Sequence, residues 1–561
     1  MAVARPPGFL IPLYHADVWG GEASRDVLEA TVLKIDWRGV VEVVWGFLGA
    51  SWLDGVETAK HQAPILKNFA KLLPLYGHAL TRRYSLEPHR PVFTREGMLA
   101  VLRAAVVSQA QPSSSQLEFA DAFVRANLIA NELLGTEIVP LASQNSAADL
   151  LRSELRSAVL HLDNPHDLLA RAEAFFDWSK TPNAAASENA LPIEDDFRRF
   201  TGLSWREYAA AAYAAFSRCT SVGDPRYAGR MSALFSLEEW LVGMRDKSAL
   251  ERWFAVSSIP LAELRAEWAV ATSLSFAASG SLWRQPVVRY DGGRFFVPYP
   301  QLIQNALGDG AFFLLFDGYL GSDRLKFRRF YGEFFEDYVA GCFARGYADR
   351  GDAIVRPETM YVKGKQRIKS TDIVVAENGD VLFIEVMAKR PKLIESVLAL
   401  KDDGIQADVA AFVAKARELN KRICDYRDGS LFPELPRPNG QRIFPVIVTP
   451  TEWPRVYLLY TVLPAAIAGE GLLAGCEPIE LLDAGDAELL EGLLQRGLRL
   501  PELLDRKNGT GGPTDARYKS VNDYLVFYER SLLSNNPRPG RERGSEIARS
   551  LIALGEGWFA A

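Results

Sequence analysis

Ser370-Thr371-Asp372-Ile373-Val374-Val375-Ala376-Glu377-Asn378-Gly379-Asp380-Val381-Leu382-Phe383-Ile384-Glu385-Val386 decides the reading of the chain. Asn-Gly between two β-branched runs is the strongest local signal for a two-residue type I′ hairpin turn. With Asn378-Gly379 as the turn, Glu377 pairs with Asp380, Val375 with Leu382, Val374 with Phe383, Ile373 with Ile384, and Asp372 with Glu385. Directly opposed side chains lie about 5 Å apart at Cβ, and like charges there repel. Both faces of the hairpin are otherwise apolar, so the two carboxylates are expected to be desolvated. Such a pair either shares a proton or takes a cation, and a hard divalent metal with oxygen ligands is the natural occupant.

Outward from the hairpin, apolar residues recur at helical spacing over Pro300 to Leu315 and Leu325 to Phe343, and again from about Leu400 to Tyr426. An apolar strand is expected at Arg442 to Thr449 and another at Arg455 to Val462. The order helix, strand, strand, strand, helix, strand predicts a mixed sheet with helices on both faces. Upstream of Asp372, the residues Lys363, Lys365, Arg367 and Lys369 alternate along an extended segment, which would present them on one face.

Gly332-Glu333-Phe334-Phe335-Glu336 on a helix, Asp372 entering a strand, and Phe383-Ile384-Glu385-Val386-Met387-Ala388-Lys389 on the next together resemble the core of the PD-(D/E)xK, or restriction-endonuclease-like, nuclease superfamily. The resemblance covers about residues 325–449. It implies that Asp372 and Glu385 are metal ligands, with the carbonyl of Val386 as a further ligand and Glu336 as an auxiliary acid. The implied cofactor is Mg²⁺, or Mn²⁺ in its place. The implied activity is phosphodiester hydrolysis, with DNA as substrate, in the manner of bacterial anti-phage defence or restriction effectors.

The family's lysine, two residues after the glutamate, is here Met387. Methionine can neither orient a nucleophilic water nor stabilise charge on phosphate. By strand parity Lys369 faces away from Asp372, whereas Lys389, four residues from Glu385, faces the same side and is the better replacement. Three explanations stand together: a lysine displaced to Lys389, an inactive nuclease fold that serves as a nucleic-acid-binding or scaffolding subunit, and an engineered substitution at Met387. Lys389, Arg390 and Lys392, with Lys363, Lys365, Arg367 and Lys369, are candidates for phosphate contacts, against a plain reading as solvated charge. Lys415, Lys421 and Arg422 on the trailing helix read as ordinary surface charge.

The 561 residues exceed one ordinary core. The expected organisation is α+β and multidomain: a mostly α-helical region 1–284 for sensing or assembly, through a partner protein or a second copy; a hairpin-and-helix connection 285–324; a nuclease-like core 325–462 with a mixed central sheet; and a mainly helical extension 463–561. The net charge of −6 gives no global basic signature, so any nucleic-acid contact must be local. From Asp323 to Arg427 there are 20 Lys and Arg against 17 Asp and Glu, a positive balance where the hairpin lies. All six histidines fall at or before His166, which argues against a histidine-metal nuclease or a Ser-His-Asp hydrolase around the hairpin. Four scattered cysteines carry no disulfide or zinc spacing. With no signal-peptide layout, and with the most apolar stretch, Val456 to Ala468, broken by Pro464, a cytoplasmic protein without a membrane span is expected.

Overall fold

The computed structural model describes residues 12–20, 23–51, 59–87, 90–109, 115–138, 164–221, 232–270, 274, 279–390, 402–435, 437–438, 440–453, 455, 457–509, 516–534, 536 and 538–558. The chain divides into two compact units. One is built from Met1–Asp149, Glu194–Gly318 and Ala548–Ala561, the other from Leu150–Ile193 and Tyr319–Ile547.

The second unit carries the hairpin. Its elements are α1 (Gly321–Gly346), β1 (Ala353–Pro357), β2 (Met360–Lys363), β3 (Gln366–Lys369), β4 (Ile373–Glu377), β5 (Asp380–Val386), α2 (Asp402–Arg427), β6 (Ile443–Thr449), β7 (Glu480–Asp483), α3 (Ala484–Gln495) and α4 (Leu500–Asn508). Five strands form one sheet in the order β7-β6-β5-β4-β1, while β2 and β3 make a separate two-stranded ribbon. β4 runs against both neighbours, whereas β5, β6 and β7 are mutually parallel.

β4 is buried along its whole length and β5 at all but its first residue, as the continuous apolar runs require for a sheet covered on two sides. Val374, Ala376, Val381, Phe383 and Met387 pack with Phe412, Ala416, Leu419 and Ile423 of α2. Residues of opposite parity face the other way, where Ile373 lines a cavity together with Ala340, Gly341 and Ala344 of α1. The buried stripe of α1, Phe327-Phe330-Tyr331-Phe334-Phe335-Val339-Cys342-Phe343, repeats at three and four residues and commits that helix to the core. Arg345 of α1 forks onto Glu491 of α3 with both bonds at 2.9 Å, joining the two helices.

Three features fall differently from the sequence expectation. The hairpin expected in the segment 285–324 forms, but its strands Val287–Tyr290 and Arg294–Phe296 lie inside a four-stranded sheet of the first unit, flanked by Ser258–Pro260 and Phe235–Ser236. The strand expected at Arg455 to Val462 does not form over Tyr457–Val462. Tyr457–Val462 is a wide helical turn running into the helix Leu463–Glu470, and it puts Leu458, Leu459 and Leu463 into the core beside α2. An apolar run with no polar alternation fits either structure, and Pro464, in the first turn of the following helix, suits the helical one. The outer parallel strand is instead β7. Its Glu480 obscures it in the sequence, yet that side chain is buried and neutralised by Lys507 at 2.9 Å and by Arg455 at 3.5 Å.

The first unit is mainly helical, with long members at Trp37–Ala50, Arg95–Ser108, Gln116–Ile138 and Trp205–Thr220. Stacked Phe69, Phe93 and Phe123 form part of its core. Buried Gln62 satisfies the backbone of Val92 and Phe93 through three hydrogen bonds. No helix among the described residues is long and apolar enough to cross a membrane.

Candidate active site

Asn378 (φ 50°) and Gly379 (φ 90°) both occupy positive φ, as a type I′ turn demands, and the ladder pairs Glu377 with Asp380 through to Ile373 with Ile384. One further step along this register sets Asp372 opposite Glu385. Both then lie on the α2 face, in parity with Val374 and Phe383. The Asp372 Oδ2 accepts a hydrogen bond from the Val386 backbone N–H at 2.6 Å, which fixes that carboxylate beside the end of β5.

The ammonium that meets these acids comes from α2. Lys415 Nζ donates to Glu385 Oε2 at 2.8 Å and pairs with Glu418 at 2.9 Å. Lys389 goes elsewhere: its Nζ lies 3.0 Å from Asp408 Oδ1 and 2.9 Å from the Ala407 carbonyl. Met387, 6% exposed, is a core residue against α2. The sequence did hold a signal for Lys415, which falls three residues after Phe412 and four before Leu419, within the apolar stripe of its helix. A charge in such a stripe is seldom left unpaired.

Burial dominates the electrostatics. It pushes the Glu385 carboxyl up to about 7, with Asp372 adding repulsion and Lys415 opposing it. Asp372 is raised as well, first by burial, against the Val386 N–H and Lys415. Glu336 on α1 also rises to about 7 by burial, then by repulsion from Asp372 and Glu358. Lys415 is held above the ordinary lysine range: burial would lower it, but Glu385 and Glu418 outweigh that. Glu333, the neighbouring acid on α1, accepts instead from Asn189 at 2.8 Å, so Glu336 is the one that shares the field of Asp372. Glu358, which the sequence did not single out, pairs with Lys369 at 2.9 Å.

The acids Glu336, Glu358, Asp372, Glu385 and Glu418 thus influence one another, and Lys369 and Lys415 are the cations that bear on them among the described residues. Fully ionised, the five acids outnumber these two lysines. No three His, Cys, Asp or Glu side chains among the described residues form a ready-made metal cage. Two carboxylates with no histidine or cysteine beside them suit an ion that keeps most of its waters, such as magnesium, better than zinc or calcium.

The expected basic face divides. The chain turns at Gly364-Lys365, so Lys363 and Lys369 sit on different strands. Lys363 faces α2 and bridges Asp425 and Asp428, whereas Arg367 and Lys369 point outward. Arg390 donates to the Tyr331 hydroxyl at 2.9 Å and lies over that ring. Lys392 falls outside the described residues. The chain matches no family model, no curated protein and no solved structure.

Proposed function

We propose that the second unit is a divalent-metal-dependent nuclease acting on DNA, with a restriction-endonuclease-like core. The observation that carries this reading is the desolvated pair Asp372 and Glu385 at the end of β4 and β5, with Glu336 and Lys415 arriving from helices on the two sides of the sheet. The run α1, β1, β4, β5, α2, β6, with β4 alone reversed, supports it as well. Asp372 and Glu385 would hold Mg²⁺ or Mn²⁺, with the Val386 carbonyl as a further ligand. That ion supplies charge stabilisation at a phosphodiester and a water of lowered pKa.

The chain's own groups do the rest. Lys415, cationic and held between Glu385 and Glu418, takes the place that Met387 leaves vacant and offers an ammonium to an attacking water or a phosphate oxygen. Glu336, poised near neutrality by burial, can accept or return a proton at ordinary pH. The direct test is plasmid cleavage by purified protein with Mg²⁺, beside Asp372→Ala, Glu385→Ala and Lys415→Ala. Loss of cleavage in all three supports the site, and cleavage that survives Asp372→Ala and Glu385→Ala ends it.

A second reading has its own observation. Both carboxylates already have protein partners, the Val386 N–H and Lys415, so the fold is satisfied as a non-catalytic nucleic-acid-binding subunit. DNA binding without cleavage in either Mg²⁺ or Mn²⁺ selects it.

A further inference from the structure

The β2–β3 ribbon has two unlike faces. Inward, the Tyr361 hydroxyl bonds to Asp425 and takes a hydrogen bond from Arg422 at 3.3 Å, while Lys363 bridges Asp425 and Asp428 of α2. Outward, the register pairs Met360 with Lys369 and Val362 with Arg367. Met360 is 46% and Val362 62% exposed, Arg367 and Lys369 are exposed beside them, and Lys365 is exposed at the turn. No acid occurs from Thr359 to Thr371. Lys365 and Arg367 have no ion pair among the described residues.

The base of the ribbon is closed. The Ser370 N–H donates to the Thr359 carbonyl at 2.8 Å and the Thr359 N–H to the Ser370 hydroxyl at 3.0 Å. Asp372 follows two residues later, so whatever holds the ribbon also sets what lies over the acids. Cations occur on the other side too. Arg329 is seven residues before Glu336, on the same face of α1 and about 10 Å along it. With Lys326 and Arg328 it is exposed, and none of the three has an ion pair among the described residues.

From this placement we infer that the β2–β3 ribbon is a groove-entering element for B-form DNA duplex, with Val362 and Met360 against base edges and Lys365 and Arg367 on the flanking phosphates. The inference rests on the nuclease reading and names its substrate form. A B-form major groove admits a two-stranded ribbon, whereas the deep, narrow major groove of A-form RNA does not. Single strands are held on exposed aromatic platforms, and the outer face of the ribbon has none, because its tyrosine is turned inward onto Asp425.

The test is fluorescence anisotropy of labelled DNA duplex, RNA duplex of the same sequence, and single-stranded DNA, with the full chain and Ca²⁺ in place of Mg²⁺. DNA duplex is expected to bind at least tenfold tighter than the other two. Lys365→Ala and Arg367→Ala should each reduce the slope of log affinity against log salt by about one. Val362→Glu should weaken duplex binding tenfold or more with the circular dichroism spectrum unchanged. Equal or tighter binding of single strand or RNA duplex overturns the inference, as does absence of any nucleic-acid binding or indifference to the ribbon variants. Duplex binding through the ribbon with no cleavage in either Mg²⁺ or Mn²⁺ sinks the nuclease reading and leaves the ribbon standing. Cleavage that ignores the ribbon variants does the reverse.

Discussion

Lys415 and Met387 exchange the parts that their sequence positions suggest. Lys415 reaches Glu385 from the buried face of α2, and Met387 fills core space against the same helix. Lys415→Ala should therefore cut Mg²⁺-dependent cleavage by about 10²-fold, the scale of losing one charged group at a developing anion. Lys389→Ala, which breaks the pair with Asp408, should leave cleavage within a few-fold. Met387→Lys, far from restoring a family pattern, buries a charge among Phe412 and Val374 and should cost about 3 kcal/mol in a urea titration. The acids themselves give a pH signature. Glu336 and Glu385 rise from an ordinary value of 4.5 to about 7, so between those values the folded chain keeps protons that the unfolded chain has released. Their favourable contribution is complete below about pH 4.5 and is lost as pH climbs through 7, amounting to about 3 kcal/mol or less for each. Thermal unfolding without divalent ions should show stability falling across that window. Adding Mg²⁺ should raise the midpoint more at pH 8 than at pH 5.

At the level of elements, the hairpin was readable because turn chemistry and strand parity are local. Asn378 and Gly379 carry the two positive φ values, and everything from Glu377 to Ile373 follows by counting. A Cβ at Gly379 would demand φ near 90° and would sit 3.3 Å from Pro438. Gly379→Val should destabilise the unit by about 1–2 kcal/mol, measured by urea unfolding. The ribbon was misread because an alternating basic run looks like one extended strand until Gly364 turns it. The strand β7 was missed because a glutamate occupies a buried position, made tolerable by partners distant in sequence, the cations Lys507 and Arg455. Arg455 also reaches Asp483 at 3.2 Å and Asp486 at 2.7 Å. Arg455→Ala removes that cation from Asp483 and Asp486, leaves Glu480 with Lys507, and should cost about 3–5 kcal/mol.

For the molecule as a whole, the alternation of helices and strands conveyed an α+β architecture, and composition conveyed its size. The boundaries were illegible. No change in local pattern marks Leu150–Ile193 as a companion of the sheet, since its contacts are with residues hundreds of positions away: Arg171 pairs with Glu488 at 2.9 Å, and Asp167 with Arg541 at 2.8 Å. The net charge of −6 likewise conceals a local run of cations, Lys363, Lys365, Arg367 and Lys369, with no acid between them.

The interleaving of the two units has a consequence for synthesis. A ribosome that has completed Gly318 has made most of the first unit but not its closing stretch, Ala548–Ala561. The early segment Leu150–Ile193 must meanwhile wait for partners such as Glu488 and Arg541 to emerge. Neither body can finish before nearly the entire polypeptide exists, and a fragment that stops at Gly318 should fold less stably than the full chain's first unit, as limited proteolysis of the two would show.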